Sequence, residues 1–242
     1  MWYEIDSKIS IGLEELIESG ERMLIDTNII NGFIRGKKDC VEFNKLGSAE
    51  EKIKFSRSNN EFVLSLIKAV ENGALFYLTE EIIKEIDPKS YNYKKIIKDY
   101  SNQKDRLLLE LRREINEVCR LKRKIIESFV DNERVISYEG EGVYSRIGEI
   151  IEKEIYEEKF NTFLYLKERY NLSVTDYDFL IKGIIMSEKC GCFVLLSNDF
   201  GIARAGNDIY RRGAVKEGRI RFFLRNNFFT FYEIGLSERN TK

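Results

Sequence analysis

Histidine is absent from the 242-residue chain, and proline occurs once, at Pro88. The first absence excludes histidine triads, histidine-ligated zinc and histidine as a general base. Any hydrolytic chemistry must then rest on carboxylates with a hard metal ion, or on Lys, Cys, Ser or Tyr. The second excludes long Pro-rich linkers. Cysteine is sparse: Cys40, Cys119, Cys190 and Cys192 are scattered. Cys190-Gly191-Cys192 is too tight a pair for the usual zinc spacing and has no second pair to support it, so reduced structural thiols are expected. No apolar run reaches the length of a membrane span, and residues 1–4 (MWYE) do not begin a signal peptide, so a soluble cytoplasmic protein is expected. Nor is there an excess of charge, because Lys plus Arg number 40 against 41 for Asp plus Glu. Partners must be read from the distribution of charge.

What is present is ample apolar material, 43% of residues, inside a heavily charged chain, 33%. The length suits one large domain, or one domain with an insertion. The stretch at 23–30, MLIDTNII, organises the rest. A short apolar run ending in a polar cluster reads as a buried strand with polar groups at its carboxyl end, the edge where ligands bind in open α/β sheets. Asp26 is costly there unless a cation, a helix N-terminus or a lysine pairs with it. Alternatively, Asp26 or Thr27 simply caps the next helix.

Along the chain, Ile11, Leu13, Leu16 and Ile17 share a helical face over 11–19, and Gly20 ends that helix. Residues 29–72 read as helices with a polar interruption near 54–60. A strand at 74–78 (ALFYL) follows, and Thr79 caps a helix over 80–86. Within the charged middle, apolar residues from Leu107 to Ile125 recur at spacings of three and four, which predicts one long amphipathic helix or two in sequence. Its many Lys and Arg are either a solvated face or a nucleic-acid contact. A short strand is expected at 134–138, then the loop 140–142, helices through 144–170 and another after Ser173. A strand at 193–196 is entered through Gly191, and one or two final strands are expected within 221–232. Strands alternating with helices predict an α/β fold whose parallel sheet is covered on both faces.

Two apolar strands thus end in an aspartate, Asp26 and Asp199, the latter in Ser197-Asn198-Asp199. In a parallel sheet both ends lie on one edge. Glu85, on the helix after the second strand, and Asp176, near the start of a later helix, can reach the same edge. Four carboxylates without a counter-charge would repel one another, and a divalent cation removes the conflict. With oxygen ligands only, Mg²⁺ or Mn²⁺ is favoured over zinc.

These residues resemble the PIN-domain family of metal-dependent nucleases. The family's first motif, an aspartate closing strand one before Thr/Ser-Asn, matches Asp26-Thr27-Asn28. Its second, a glutamate after T-x-x-hydrophobic, matches Thr79, Ile82 and Glu85. Its third, an aspartate opening a helix with a small residue seven positions on, matches Asp176 and Gly183. Its fourth matches Ser197-Asn198-Asp199. Asp178 competes for the third place but puts bulky Ile185 seven positions on, and Glu81 is a weaker substitute for Glu85, whose helix otherwise offers only a charged face with a Glu80–Lys84 pair.

The resemblance implies a three-layer α/β/α sandwich with a central, mainly parallel sheet over about 22–90 and 134–232, forming a single nuclease domain. An N-terminal extension at 1–22 and a charged helical insertion at about 91–130 lie outside it. It further implies an endoribonuclease in which Asp26, Glu85, Asp176 and Asp199 hold one or two Mg²⁺ or Mn²⁺ ions, directly or through water, with Asn28, Ser197 and Asp178 as supporting groups. RNA is the expected partner. The family often dimerises, so a homodimer is a further expectation, as is a protein partner docked on the helical insertion.

For phosphate contact, the stretch 200–225 is basic, and Arg204, Arg211, Arg212, Lys216 and Arg219, with Arg221 and Arg225, should border the site because they follow the last acidic motif. Tyr210 and Phe222 are candidates for base stacking. Three other readings compete. One is a PIN-like module without catalysis that binds RNA or serves an assembly. Another is the toxin of a toxin–antitoxin pair. The third, a phosphatase of the haloacid dehalogenase type, needs an aspartate two residues after Asp26, where Asn28 stands.

Overall fold

Three short apolar runs become neighbouring parallel strands at the centre of the molecule. The computed structural model describes residues 10–32, 34–35, 40–41, 48–87, 106–137, 162–211, 219–225 and 229–234. Among these, nine strands and eight helices follow one another: β1 (Ser10–Gly12), α1 (Leu13–Glu18), β2 (Met23–Ile25), α2 (Thr27–Asn31), β3 (Ile34–Arg35), β4 (Cys40–Val41), α3 (Ala49–Glu71), β5 (Phe76–Thr79), α4 (Glu80–Ile86), α5 (Arg106–Asp131), β6 (Val135–Ile136), α6 (Thr162–Tyr170), α7 (Val174–Cys190), β7 (Cys192–Leu196), α8 (Phe200–Arg211), β8 (Arg219–Arg225) and β9 (Thr230–Ile234). Seven strands form one sheet in the order β1-β9-β8-β7-β2-β5-β6, and β3 and β4 form a separate hairpin. From β6 to β8 all neighbours are parallel, while β9 and β1 close one side antiparallel.

The central strands are buried on both faces, as continuous apolar runs require. Every residue of β2 and Phe193 to Leu196 of β7 are buried. On one face α7 lies close against β7 at Gly183: a Cβ there would meet Leu195 Cδ2 at 2.6 Å. On the other face α3 packs its Phe62 against Phe231 and beneath the Arg225 guanidinium. Gly206 of α8 meets Phe222, three residues before Arg225 in β8, so the two helices occupy opposite faces of the pleat. An α/β fold with helices on both faces is compatible with a three-layer sandwich. Among the described residues no helix is long and apolar enough to cross a membrane.

Several local expectations change. Ile11 belongs to β1, paired with Phe231 of β9, so the N-terminal helix starts only at Leu13. The polar interruption near 54–60 does not interrupt: α3 runs unbroken from Ala49 to Glu71, because its buried polar groups find partners on adjacent elements. Asn59 Nδ2 donates to Ile30 O at 3.0 Å, and Asn60 Nδ2 donates to Glu114 Oε2 on α5 at 3.4 Å. Between α2 and α3 stands the β3–β4 hairpin where helix was expected. The amphipathic middle is one helix, α5, docked along α3 through Ile53, Leu111 and Ile115 and through Arg57 to Glu110 and Glu114. The loop 140–142 lies outside the described residues, as do 91–105 and all of the helical stretch expected before Thr162.

Candidate active site

The order of the sheet creates the site. From β2 the chain builds outward through β5 to β6, then returns to lay β7 on the other side of β2, followed by β8. At such a reversal the loops leaving the two central strands part in opposite directions and open a crevice at their carboxyl ends, where open α/β sheets bind ligands. Ile25 of β2 is level with Leu196 of β7, so Asp26 and Ser197 emerge side by side. The Asp26 amide extends the ladder by one bond, to Leu196 O at 2.9 Å.

Asp26 occupies the N-cap position of α2, yet its side chain makes no capping bond. Instead its Oδ2 accepts from Ser197 Oγ at 2.6 Å and from Asn28 Nδ2. The carboxyl is only 3% exposed. Burial pushes its pKa up to about 7. The Ser197 hydroxyl and the Thr27 amide oppose that rise, and the like charges of Asp176 and Asp199 add to it. Asn28 links the two strand ends: its Oδ1 accepts from the Asn198 amide at 2.8 Å, while its Nδ2 also reaches Ser197 Oγ at 3.3 Å. Ser197 Oγ accepts in turn from the Asp199 amide at 2.9 Å.

The remaining acids arrive on helices. Asp199 directly precedes α8, and its Oδ1 accepts the Gly201 amide at 2.6 Å. Asp176, in the first turn of α7, completes a capping box with Ser173: the Ser173 amide donates to Asp176 Oδ2 at 2.7 Å, and the Asp176 amide to Ser173 Oγ at 3.1 Å. Burial raises the Asp176 pKa, its bonds to Ser173 oppose this, and the charges of Asp199 and Glu85 add to the rise. Glu85 stands in the last turn of α4, exposed, with Thr27 Oγ1 donating to Oε2 and Thr175 Oγ1 to Oε1, both at 2.6 Å. Asp176 therefore lies within electrostatic reach of Asp199 and Glu85, and Asp26 within reach of Asp176 and Asp199. Asp178 is held within its own helix: Oδ1 pairs with Lys182 Nζ at 3.1 Å, and its buried Oδ2 has no hydrogen-bond partner. Lys84 pairs with Glu81 at 2.5 Å rather than with Glu80.

No protein-family model, curated protein or solved structure matches the chain. The site is therefore read from its own chemistry. Among the described residues, no group of three or more Asp, Glu or Cys side chains is gathered tightly enough to hold a metal ion. The donor set nonetheless suits a hard cation. It is all oxygen, and the charged neighbours that shift Asp26 and Asp176 share their sign. A divalent ion would reverse that repulsion.

The basic stretch after Asp199 does not border this edge as a whole. α8 carries the chain back so that parallel β8 can start at the opposite edge, with Arg219 level with Cys192. Twelve helical residues span about 18 Å, so Arg204 stays on the first turns, exposed, while Arg211 ends the helix far from Asp199. The side chains of Arg211 and Arg219, and Arg212 and Lys216 altogether, lie outside the described residues. Arg221 is engaged by Glu21 at 2.6 Å and Glu233 at 2.8 Å. Arg225 is fully buried, stacked 3.8 Å over Phe62, its NH1 donating to Ile29 O and its amide to Asn198 Oδ1 at 2.7 Å. Both guanidinium groups are thus engaged within the fold. Phe222 is core, 2% exposed, and cannot stack on a base; the Tyr210 side chain lies outside the described residues.

Two side chains that hold these acids escaped the sequence reading. Ser173 carried a signal, the S-x-x-D pattern before an apolar run. Thr175 carried none, because its partner Glu85 is 90 residues away.

Proposed function

We propose that the chain is a PIN-like, divalent-metal-dependent endoribonuclease that hydrolyses RNA phosphodiester bonds. One observation supports the reading: at the edge where the strand order reverses, Asp26, Asp176 and Asp199 lie within electrostatic reach of one another, and Thr27 and Thr175 hold Glu85 beside Asp26 and Asp176. Asp26, Glu85, Asp176 and Asp199 would hold Mg²⁺ or Mn²⁺, directly or through water. When bound, such an ion supplies positive charge against the phosphate and the leaving oxygen and makes water a better nucleophile. Ser197 and Asn28 fix the Asp26 carboxylate, and Asn28 also holds the Asn198 backbone, so the two strand ends keep one spacing. Arg204, exposed on the first turns of α8, would meet the backbone of the substrate. Histidine is not required.

A second reading, a PIN-like module that binds RNA or serves an assembly without cutting, is favoured by a specific feature: Asp176 and Asp199 already hold backbone amides at the starts of α7 and α8. A toxin held by an antitoxin would use the first reading's chemistry. Incubation of a mixed RNA pool with Mg²⁺, Mn²⁺ or EDTA, for the wild type and Asp26→Asn, separates the two readings. Cutting that needs metal and Asp26 supports the nuclease. RNA that is bound but left uncut by the wild type overturns it in favour of the binding module.

A further inference from the structure

Glu85 differs from the other three acids in how it is held. It stands exposed near the end of the seven-residue α4, and Asp176, a neighbour of its own charge, faces it. A flexible carboxylate so placed would swing into water unless something fixed it. Two hydroxyls do so, one on each oxygen, from residues 58 and 90 positions away. A carboxylate only accepts, so both threonines donate, and hydrogen bonds of this charge-assisted kind are the stronger ones.

We infer that Thr175, acting with Thr27, is a positioning residue that fixes the Glu85 carboxylate toward Asp176. Thr175 immediately precedes Asp176 in the first turn of α7, so the turn that presents Asp176 also presents the donor to Glu85. Thr27 immediately follows Asp26 and ties the same carboxylate to the end of β2. The clamp thereby sets the spacing between Glu85 and two of the other acids, which like-charge repulsion would otherwise widen. This inference rests on the proposed metal-dependent reading.

The test uses the full chain as wild type, Thr175→Val and Thr175→Ser. Mn²⁺ affinity is measured by calorimetry and melting temperature without metal, and kcat and KM are measured on RNA. Thr175→Val is expected to bind Mn²⁺ about 10- to 100-fold more weakly, as removal of a group that orients a ligand typically does. Its metal-free melting temperature and KM for RNA should stay close to wild type, and Thr175→Ser, which restores the hydroxyl, should recover most of the affinity. Should Thr175→Val fail to fold, Thr27→Val against Thr27→Ser asks the same question of the other hydroxyl. Equal Mn²⁺ affinity in wild type and Thr175→Val, or a serine variant as weak as the valine one, overturns the inference alone. A wild type that neither binds Mn²⁺ nor cuts RNA overturns the proposed function, and the inference with it.

Discussion

Replacing Asp26 by Asn should make the metal-free protein more stable at neutral and alkaline pH while removing the proposed metal-dependent cleavage. The Asp26 carboxyl ordinarily titrates at 3.8 and is pushed up to about 7 in the folded chain, chiefly by burial. Between those values the folded state binds more protons than the unfolded one, so stability falls as pH rises. The contribution of Asp26 is fully present below its unfolded value and is lost as pH rises through about 7. A shift of about 3 units amounts to about 4 kcal/mol, the upper bound on the cost of the ionised carboxylate above pH 7. Asn cannot ionise and escapes that cost. It keeps an oxygen for Ser197 but gains an amide that needs an acceptor, a loss of about 1–3 kcal/mol. The net expectation is a gain of about 1–3 kcal/mol at pH 8, shrinking to nothing or reversing near pH 5. Urea unfolding of both proteins in EDTA at pH 5, 6, 7 and 8 measures it. Stability curves that run parallel across this range would refute the reasoning, since the difference must carry the titration of Asp26.

Two further predictions follow from the packing and the charge. Gly183→Ala places a Cβ 2.6 Å from Leu195 Cδ2, so the buried Leu195 side chain or α7 must shift, at a cost of about 1–3 kcal/mol, read as a lower urea midpoint with unchanged slope. Arg204→Glu should weaken RNA binding and lower the salt slope by about one phosphate contact or more; an unchanged slope in a filter-binding titration removes Arg204 from the interface.

Much of the central architecture could be read from local pattern. The runs at 23–25 and 193–196 have the continuous apolar character of strands covered on both faces, and Thr79 caps α4 through the Ile82 amide, as its position before 80–86 suggests. Asp26 and Asp199 could be placed on one edge because parallel strands share a direction. Other features depend on contacts that local pattern does not carry. Buried Asn59 and Asn60 look like a break until their partners on α2 and α5 are known. Arg225 looks like surface charge, yet its guanidinium reaches Ile29 O and lies over Phe62. The basic stretch changes edge because α8 must return the chain to the start of β8, a consequence of topology rather than of composition.

The most direct test of the central proposal, that the four acids at the strand-order reversal hold divalent metal, is a Mn²⁺ titration followed by electron paramagnetic resonance. Wild type, Asp26→Asn, Glu85→Gln, Asp176→Asn and Asp199→Asn would be compared, each checked for folding by circular dichroism. Saturable binding by the wild type, weakened in each of the four folded variants, is the predicted result. Absence of saturable binding in the wild type, or equal binding by all five proteins, would contradict the account.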